Sequence, residues 1–180
     1  MSMIAKLLRR QPAESLVIEP LRRKHLGAVL DIEQVSYPKP WTTGVFQSEL
    51  EMARRGERVY LVALSGGVVI GYAGILLIAG DAHVSNIAVH PDWRRQRLGA
   101  RLLAELAWSA LDHQCTALTL EGRITNTAAQ DLYRLFGFEA AGIRKRYYEN
   151  IDDAIVMWCT ELATPQYRQM LVELCPEAAR

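Results

Sequence analysis

Three groups of residues in this 180-residue chain have the type and spacing to do chemistry. The first lies in IAVHPDWRRQRLGARLLAEL, residues 87–106. An apolar run from Ile87 to Val89 breaks at Pro91, Arg94, Arg95 and Arg97 crowd the approach to Gly99, and a leucine-rich helical segment begins at once. A helix N-terminus leaves unpaired backbone N–H groups and the positive end of the macrodipole, so this junction is an anion site. Guanidinium groups beside a glycine suit it to phosphate; the plainer reading is a solvated, arginine-rich turn. The second group centres on Glu121, at the carboxyl end of TALTLEG and on the face opposite Leu118 and Leu120. Open α/β sheets build their sites there, so Glu121 reads as a base, or else as a surface carboxylate paired with Arg123. The third is Tyr133, seven residues after Asn126 and therefore about two helical turns further along the same face. It reads as a proton donor or as a core aromatic with its hydroxyl at the edge.

The elements that must position these groups follow from periodicity and punctuation. SLVIEPL reads as a first strand ending near Pro20, and RRKHLGAVLDIEQVSY carries Leu26, Val29, Leu30 and Ile32 or Glu33 at helical spacing. After PKPW, Thr42 or Thr43 can cap a short helix through Leu50. RVYLVALS and VVIGYAGILLIAG flank Gly66-Gly67 as a hairpin. AHVSNIAV is a strand whose apolar phase changes between Val84 and Ile87, the mark of a β-bulge. Leu98, Leu102, Leu106 and Ala110 line one face of a helix running to about His113. In NTAAQDLYRLFG, Asn126 suits the N-cap and Gly137 the C′ position. FEAAGIRKRYY and DAIVMWCTEL close the pattern as two strands. Residues 15–163 thus read as one α/β (α+β) domain, with antiparallel hairpins at both ends and strand–helix crossovers between. Residues 1–14 read as a frayed extension, and residues 164–180 as a tail with a short helix through Leu174.

Bulk properties narrow the function. A formal net charge of +1 with 23% charged residues argues against a dedicated nucleic-acid binder, so the arginines near residue 95 are a local feature. Cys115, Cys159 and Cys175 are widely spaced and lack CxxC spacing, which predicts reduced, buried thiols in a cytoplasmic protein. The four histidines show no metal-ligand spacing. The longest apolar run, YAGILLIAG, suits a buried strand and not a membrane span. The apolar part of the basic N-terminal segment is too short for a signal peptide.

The order of VSNIAV, RRQRLGA, a helix, LTLE and NTAAQDLYRLFGF resembles the GNAT superfamily of N-acetyltransferases over about Val17 to Leu162. PKPW, RKRYYEN and DAIVMW make it most similar to the RimI-type protein N-terminal acetyltransferases. The resemblance implies a mixed, mostly antiparallel sheet with splayed central strands, and acetyl-CoA as the acetyl donor. It implies that the backbone of Ile87, Ala88 and Val89 pairs with the pantetheine arm. Its diphosphate loop, (Gln/Arg)-x-x-Gly-x-(Gly/Ala), falls on Arg94, Arg95, Gln96, Arg97, Leu98 and Gly99, with Ala100 following in the helix. By the same resemblance Glu121 is the general base, acting through water. Tyr133 is the acid that protonates the departing thiolate, which a phenol of pKa about 10 suits for a thiol near 8.5. Asn126 contacts the cofactor arm, and Trp41, Tyr147 and Tyr148 wall the peptide groove; apart from the resemblance, Glu33 and Glu149 are candidate partners for a cationic peptide by charge alone. The implied acceptor is a protein N-terminus, typically an alanine of a ribosomal small-subunit protein; no nucleic acid, membrane or metal is implied.

Two departures leave alternatives open. Arg97 stands where the pattern has its first glycine, and supplies its N–H there if its φ is helical, its side chain meeting phosphate or solvent. Gly122 follows the base where a branched apolar residue is usual, which weakens the strand or marks close backbone approach. The competing functions are acetylation of a lysine or small-molecule amine, and a non-catalytic acyl-CoA-binding module.

Overall fold

Alternation along the strands decides which side of the sheet each helix covers. In the computed structural model, which describes residues 16–180, Leu61 and Ala63 face one core while Tyr60 and Val62 face the other. The extension read over residues 1–14 lies outside the described residues. Seven strands form one sheet in the order β1-β2-β3-β4-β5-β7-β6. They are β1 (Leu16–Pro20), β2 (Arg58–Ser65), β3 (Val68–Ile78), β4 (Asp81–Val89), β5 (Ala117–Arg123), β6 (Glu139–Tyr148) and β7 (Asp152–Cys159). All neighbours are antiparallel except β4 and β5.

Helices α1 (Leu26–Ser36) and α2 (Thr43–Arg54) cover one face. Helix α3 (Leu98–Asp112), the crossover between the parallel strands, covers the other with α4 (Thr127–Leu135) and α5 (Pro165–Leu174). The first helical stretch starts later than its sequence pattern, because Arg23–His25 form a 3-10 turn ahead of α1. Thr42, not Thr43, caps α2 by accepting from the Val45 N–H. Gly66 and Gly67 both have positive φ, as the hairpin turn needs. Gly137 sits just past α4 with φ 76°. Tyr167 and Leu171 of α5, with Cys175 and Ala178 beyond it, are buried in the larger core, and the Tyr167 hydroxyl donates to the Phe136 carbonyl at 3.0 Å. All three cysteines are free and buried. No helix among the described residues is long and apolar enough to cross a membrane.

The feature that makes a site is the separation of β4 from β5. The two pair only from Asp81↔Ala117 to Val84↔Leu120. On the opposite edge of β4, Gly74 pairs with Asn86 and Ile75 with Val84, leaving Ser85 as an extra residue. This is the bulge that the phase change predicts, and beyond it β4 runs on to Val89 without pairing with β5. A polar chain backs the bulge. The Ser85 hydroxyl lies 3.0 Å from the Tyr60 hydroxyl, which donates to Glu49 Oε2 at 2.8 Å, and Arg58 Nε donates to the same oxygen at 3.0 Å.

To reach Ser85, the Tyr60 ring crosses directly over Gly74. A Cβ there would sit 2.2 Å from the ring, and the ring is tethered at its far end, so it has nowhere to retreat. Overpacking of this kind costs about 1–3 kcal/mol. Gly74→Ala is therefore expected to lower the thermal midpoint by about 2–12 °C. An unchanged midpoint in thermal denaturation would show that Tyr60 does not hold the bulge in this way.

Candidate active site

The opening between β4 and β5 is a cavity of about 420 Å³ that passes from one side of the sheet to the other. On the α1–α2 side it is lined by Glu33, Tyr37 and Trp41; on the α3–α4 side by Gly99, Ala129, Leu132 and Tyr133. Val84 to Ile87 and Val89 form one wall, and Leu120 to Arg123 the other.

The two candidate proton-transfer groups lie on opposite faces of β5. Glu121 alternates away from Leu120 and Gly122, and its carboxylate is held from two strands. His83 Nε2 lies 3.0 Å from Oε2, and Arg144 Nη2 lies 3.2 Å from Oε1. The alternative partner, Arg123, is engaged elsewhere, with Glu149 at 2.5 Å and Asp152 at 2.6 Å. Tyr133 lies on the face of Gly122, where a Cβ would meet its ring at 3.6 Å, an ordinary contact. A Cβ at position 122 would therefore fit against Tyr133, and no close backbone approach there requires the glycine. Tyr133 is 8% exposed, its hydroxyl has no hydrogen bond among the described residues, and burial pushes its pKa up to about 12. The phenol therefore stays protonated throughout the physiological range.

The free edge of β4 and the start of α3 form one continuous backbone surface. The Ile87 carbonyl accepts from the Tyr37 hydroxyl at 3.0 Å, and the Val89 carbonyl from Arg94 Nε at 3.1 Å. Both carbonyls therefore point away from β3, and strand alternation turns the N–H groups of the same two residues the same way. Ala88 alternates toward β3 and is buried in the smaller core, so of the three residues expected to pair with a pantetheine arm it alone faces elsewhere.

At the start of α3 the first backbone bond runs from the Arg101 N–H to the Arg97 carbonyl. The N–H groups of Leu98, Gly99 and Ala100 are left without intrahelical partners. The side chains of Leu98 and Ala100 are core; their contribution here is backbone. Arg95 is exposed, with no hydrogen bond or ion pair among the described residues. Gln96 turns inward, its Oε1 buried without a donor. Free N–H groups and an unpaired strand edge fit an extended ligand with a phosphate end.

Arg97 corrects the sequence expectation. Its φ and ψ are 62° and 7°, left-handed and not right-handed helical, a conformation that costs a non-glycine residue about 1–2 kcal/mol. Its side chain is exposed and donates through Nη2 to the Leu174 carbonyl at 2.6 Å.

On the acceptor side, Trp41 and Tyr148 line the cavity. Tyr148 donates to the Glu121 carbonyl at 3.1 Å, packs under the Arg123 guanidinium, and is pushed up to about 12, burial first among the causes. Tyr147 does not line it: the ring is 48% exposed and stands edge-on against Tyr148. Glu33 is buried, accepting from the Trp41 N–H at 2.9 Å and from the Tyr72 hydroxyl, so it fixes the loop bearing Trp41; burial raises its pKa. Glu149 also lines the cavity. Asn126 caps α4 by accepting from the Ala129 N–H at 3.2 Å, and lines the cavity as well. Sequence reasoning missed Tyr37, His83 and Arg144; only Tyr37, beside PKPW, carried a local signal. No group of three or more His, Cys, Asp or Glu among the described residues could hold a metal.

Residues 26–138 match the acetyltransferase (GNAT) family. The chain belongs to that family. Family acetyltransferases use acetyl-CoA as donor, and the unpaired strand edge and helix start described above fit it. The chain is 36% identical over 144 residues to the [ribosomal protein bS18]-alanine N-acetyltransferase of Escherichia coli K12, covering 78% of this chain and 94% of that one. It is 37% identical over 113 residues to the N-alpha-acetyltransferase RimI of Mycobacterium tuberculosis, covering 61% and 68%. The crystal structure of the ribosomal-protein-S18-alanine N-acetyltransferase from Escherichia coli superposes with a TM-score of 0.74 at 32% identity, over 81% and 94% of the two chains.

The groups around this GNAT site set a pH dependence of stability. His83 is lowered below its ordinary value, by burial first and by Arg144, against the opposing pull of Glu121; His25 is also lowered, chiefly by burial. Unfolded histidine, near 6.5, binds protons that these folded rings refuse. Their contribution is present above pH 6.5 and is lost as pH falls through the lowered folded values. The thermal midpoint should therefore fall between pH 7 and pH 5, and His83→Gln should flatten that fall. An equal slope in the variant would contradict the assignment.

Proposed function

We propose that this protein transfers the acetyl group of acetyl-CoA to the α-amine of a protein N-terminus, with the alanine N-terminus of a ribosomal protein as acceptor. The bacterial relatives named for that activity support the acceptor class. The observation that carries the reading is the through-sheet cavity with Tyr133 on one face of β5 and Glu121 on the other. A thioester and an amine entering from opposite sides meet between them.

In this reading Leu98 to Ala100 and the β4 edge hold the donor, and acetyl-CoA supplies an activated thioester. Glu121, kept charged-side inward by His83 and Arg144, removes a proton from the amine through water; a free α-amine has a pKa of about 7.7–8.0, so a weak base suffices. Tyr133 gives its proton to the sulfur as the C–S bond breaks, and its high pKa keeps that proton available. Trp41 and Tyr148 flank the acceptor side, and the Glu33 bond to the Trp41 backbone fixes that wall before binding.

The test is mass spectrometry after incubation with acetyl-CoA and two peptides, one with a free alanine N-terminus, the other blocked and bearing an internal lysine. Acetylation of the first alone is expected; labelling of the second alone would move the function to ε-amine acetylation. Tyr133→Phe and Glu121→Gln should each lower kcat by about 10²-fold or more, with little change in acetyl-CoA affinity. Unchanged kcat in both would remove the roles assigned to them.

A further inference from the structure

Arg97, left-handed like Arg95, is the N-cap of α3, and its side-chain bond spans 77 residues to the end of α5. Leu174 is the last residue of that helix, so its carbonyl belongs to the unpaired, negative end of the dipole, where a guanidinium is favoured. The contact is one of several between α3 and the C-terminal segment. Arg101 Nη1 lies 3.8 Å from Glu177 Oε1, and Arg180 bonds Glu105 at 3.2 Å and Asp112. Helix α5 itself is fixed to the core through Tyr167 and Leu171. The segment is thus a rigid post beside the turn that leaves the Leu98, Gly99 and Ala100 N–H groups unpaired.

We propose that Arg97 is a positioning residue: it holds the donor loop in its left-handed turn by anchoring to α5, and so makes the C-terminal segment part of the acetyl-CoA site. A glycine adopts such a turn unaided. Arg97 has such a hold in the Leu174 carbonyl, whereas Arg95, also left-handed with φ 61°, has none among the described residues. This assignment rests on the reading that the loop takes the donor's diphosphate. Because binding energies couple reciprocally, occupation of the loop also steadies α5.

The experiment compares full-length wild type with Arg97→Gly and Arg97→Ala, measuring acetyl-CoA affinity by calorimetry and hydrogen exchange across Pro165–Leu174 with and without acetyl-CoA. Arg97→Gly should keep the wild-type Kd within about twofold, whereas Arg97→Ala, strained and unanchored, should raise it about tenfold, with thermal midpoints reported for both. Acetyl-CoA should slow exchange in α5 of the wild type and lose that effect in Arg97→Gly. Equal losses of affinity in the two variants would show that the guanidinium itself binds the donor and would overturn the proposal. So would an α5 response that survives in Arg97→Gly. Wild type that binds no acetyl-CoA would overturn the loop reading, and the anchoring proposal with it.

Discussion

The structure depends on a parallel strand pair that stops after four residues. Were β4 and β5 paired to their ends, the sheet would be closed and its two faces sealed from each other. One extra residue, Ser85, redirects β4 just where pairing ends. The consequences follow from elementary hydrogen-bond accounting. A strand edge released from its neighbour leaves the outward groups of Ile87 and Val89 to find other partners. Tyr37 and Arg94 satisfy the two carbonyls; the matching N–H groups remain for a ligand.

The same opening explains the division of labour between the two sides of β5. Consecutive residues of a strand face opposite ways, so Glu121 and its neighbour Gly122 serve different compartments. Glu121 sits in a polar setting, 3.0 Å from His83 and 3.2 Å from Arg144. Beyond Gly122, Tyr133 sits in an apolar setting against Phe138, where a phenol is stabilised as a neutral acid. The two groups proposed as base and acid are kept apart by one strand.

Much of this was legible in the sequence where the cause is local. The phase break between Val84 and Ile87 announced the bulge, Asn126 and Gly137 bracketed α4, and Gly66-Gly67 made the hairpin. The crowding of arginines before Gly99 marked the helix start that offers free N–H groups. What was hidden depends on residues brought together only by folding. Nothing near Glu121 in sequence names His83 or Arg144 as its partners, and the nearer Arg123 is drawn off by Glu149 and Asp152. The Leu174 anchor of Arg97 was not legible because it lies on an element beyond the recognisable pattern. Tyr147 and Tyr148 are adjacent and alike, yet only the second turns into the cavity, because neighbouring strand residues face opposite ways.

The proposed place of transfer is the gap between β4 and β5, with Tyr133 on the donor side. A crystal structure with coenzyme A tests it most directly. The thiol sulfur should lie in the gap beside Ile87 and Gly122, within hydrogen-bond distance of the Tyr133 hydroxyl, with the diphosphate on the N–H groups of Leu98 to Ala100. A sulfur outside the gap, or a Tyr133 hydroxyl turned away from it, would contradict the account.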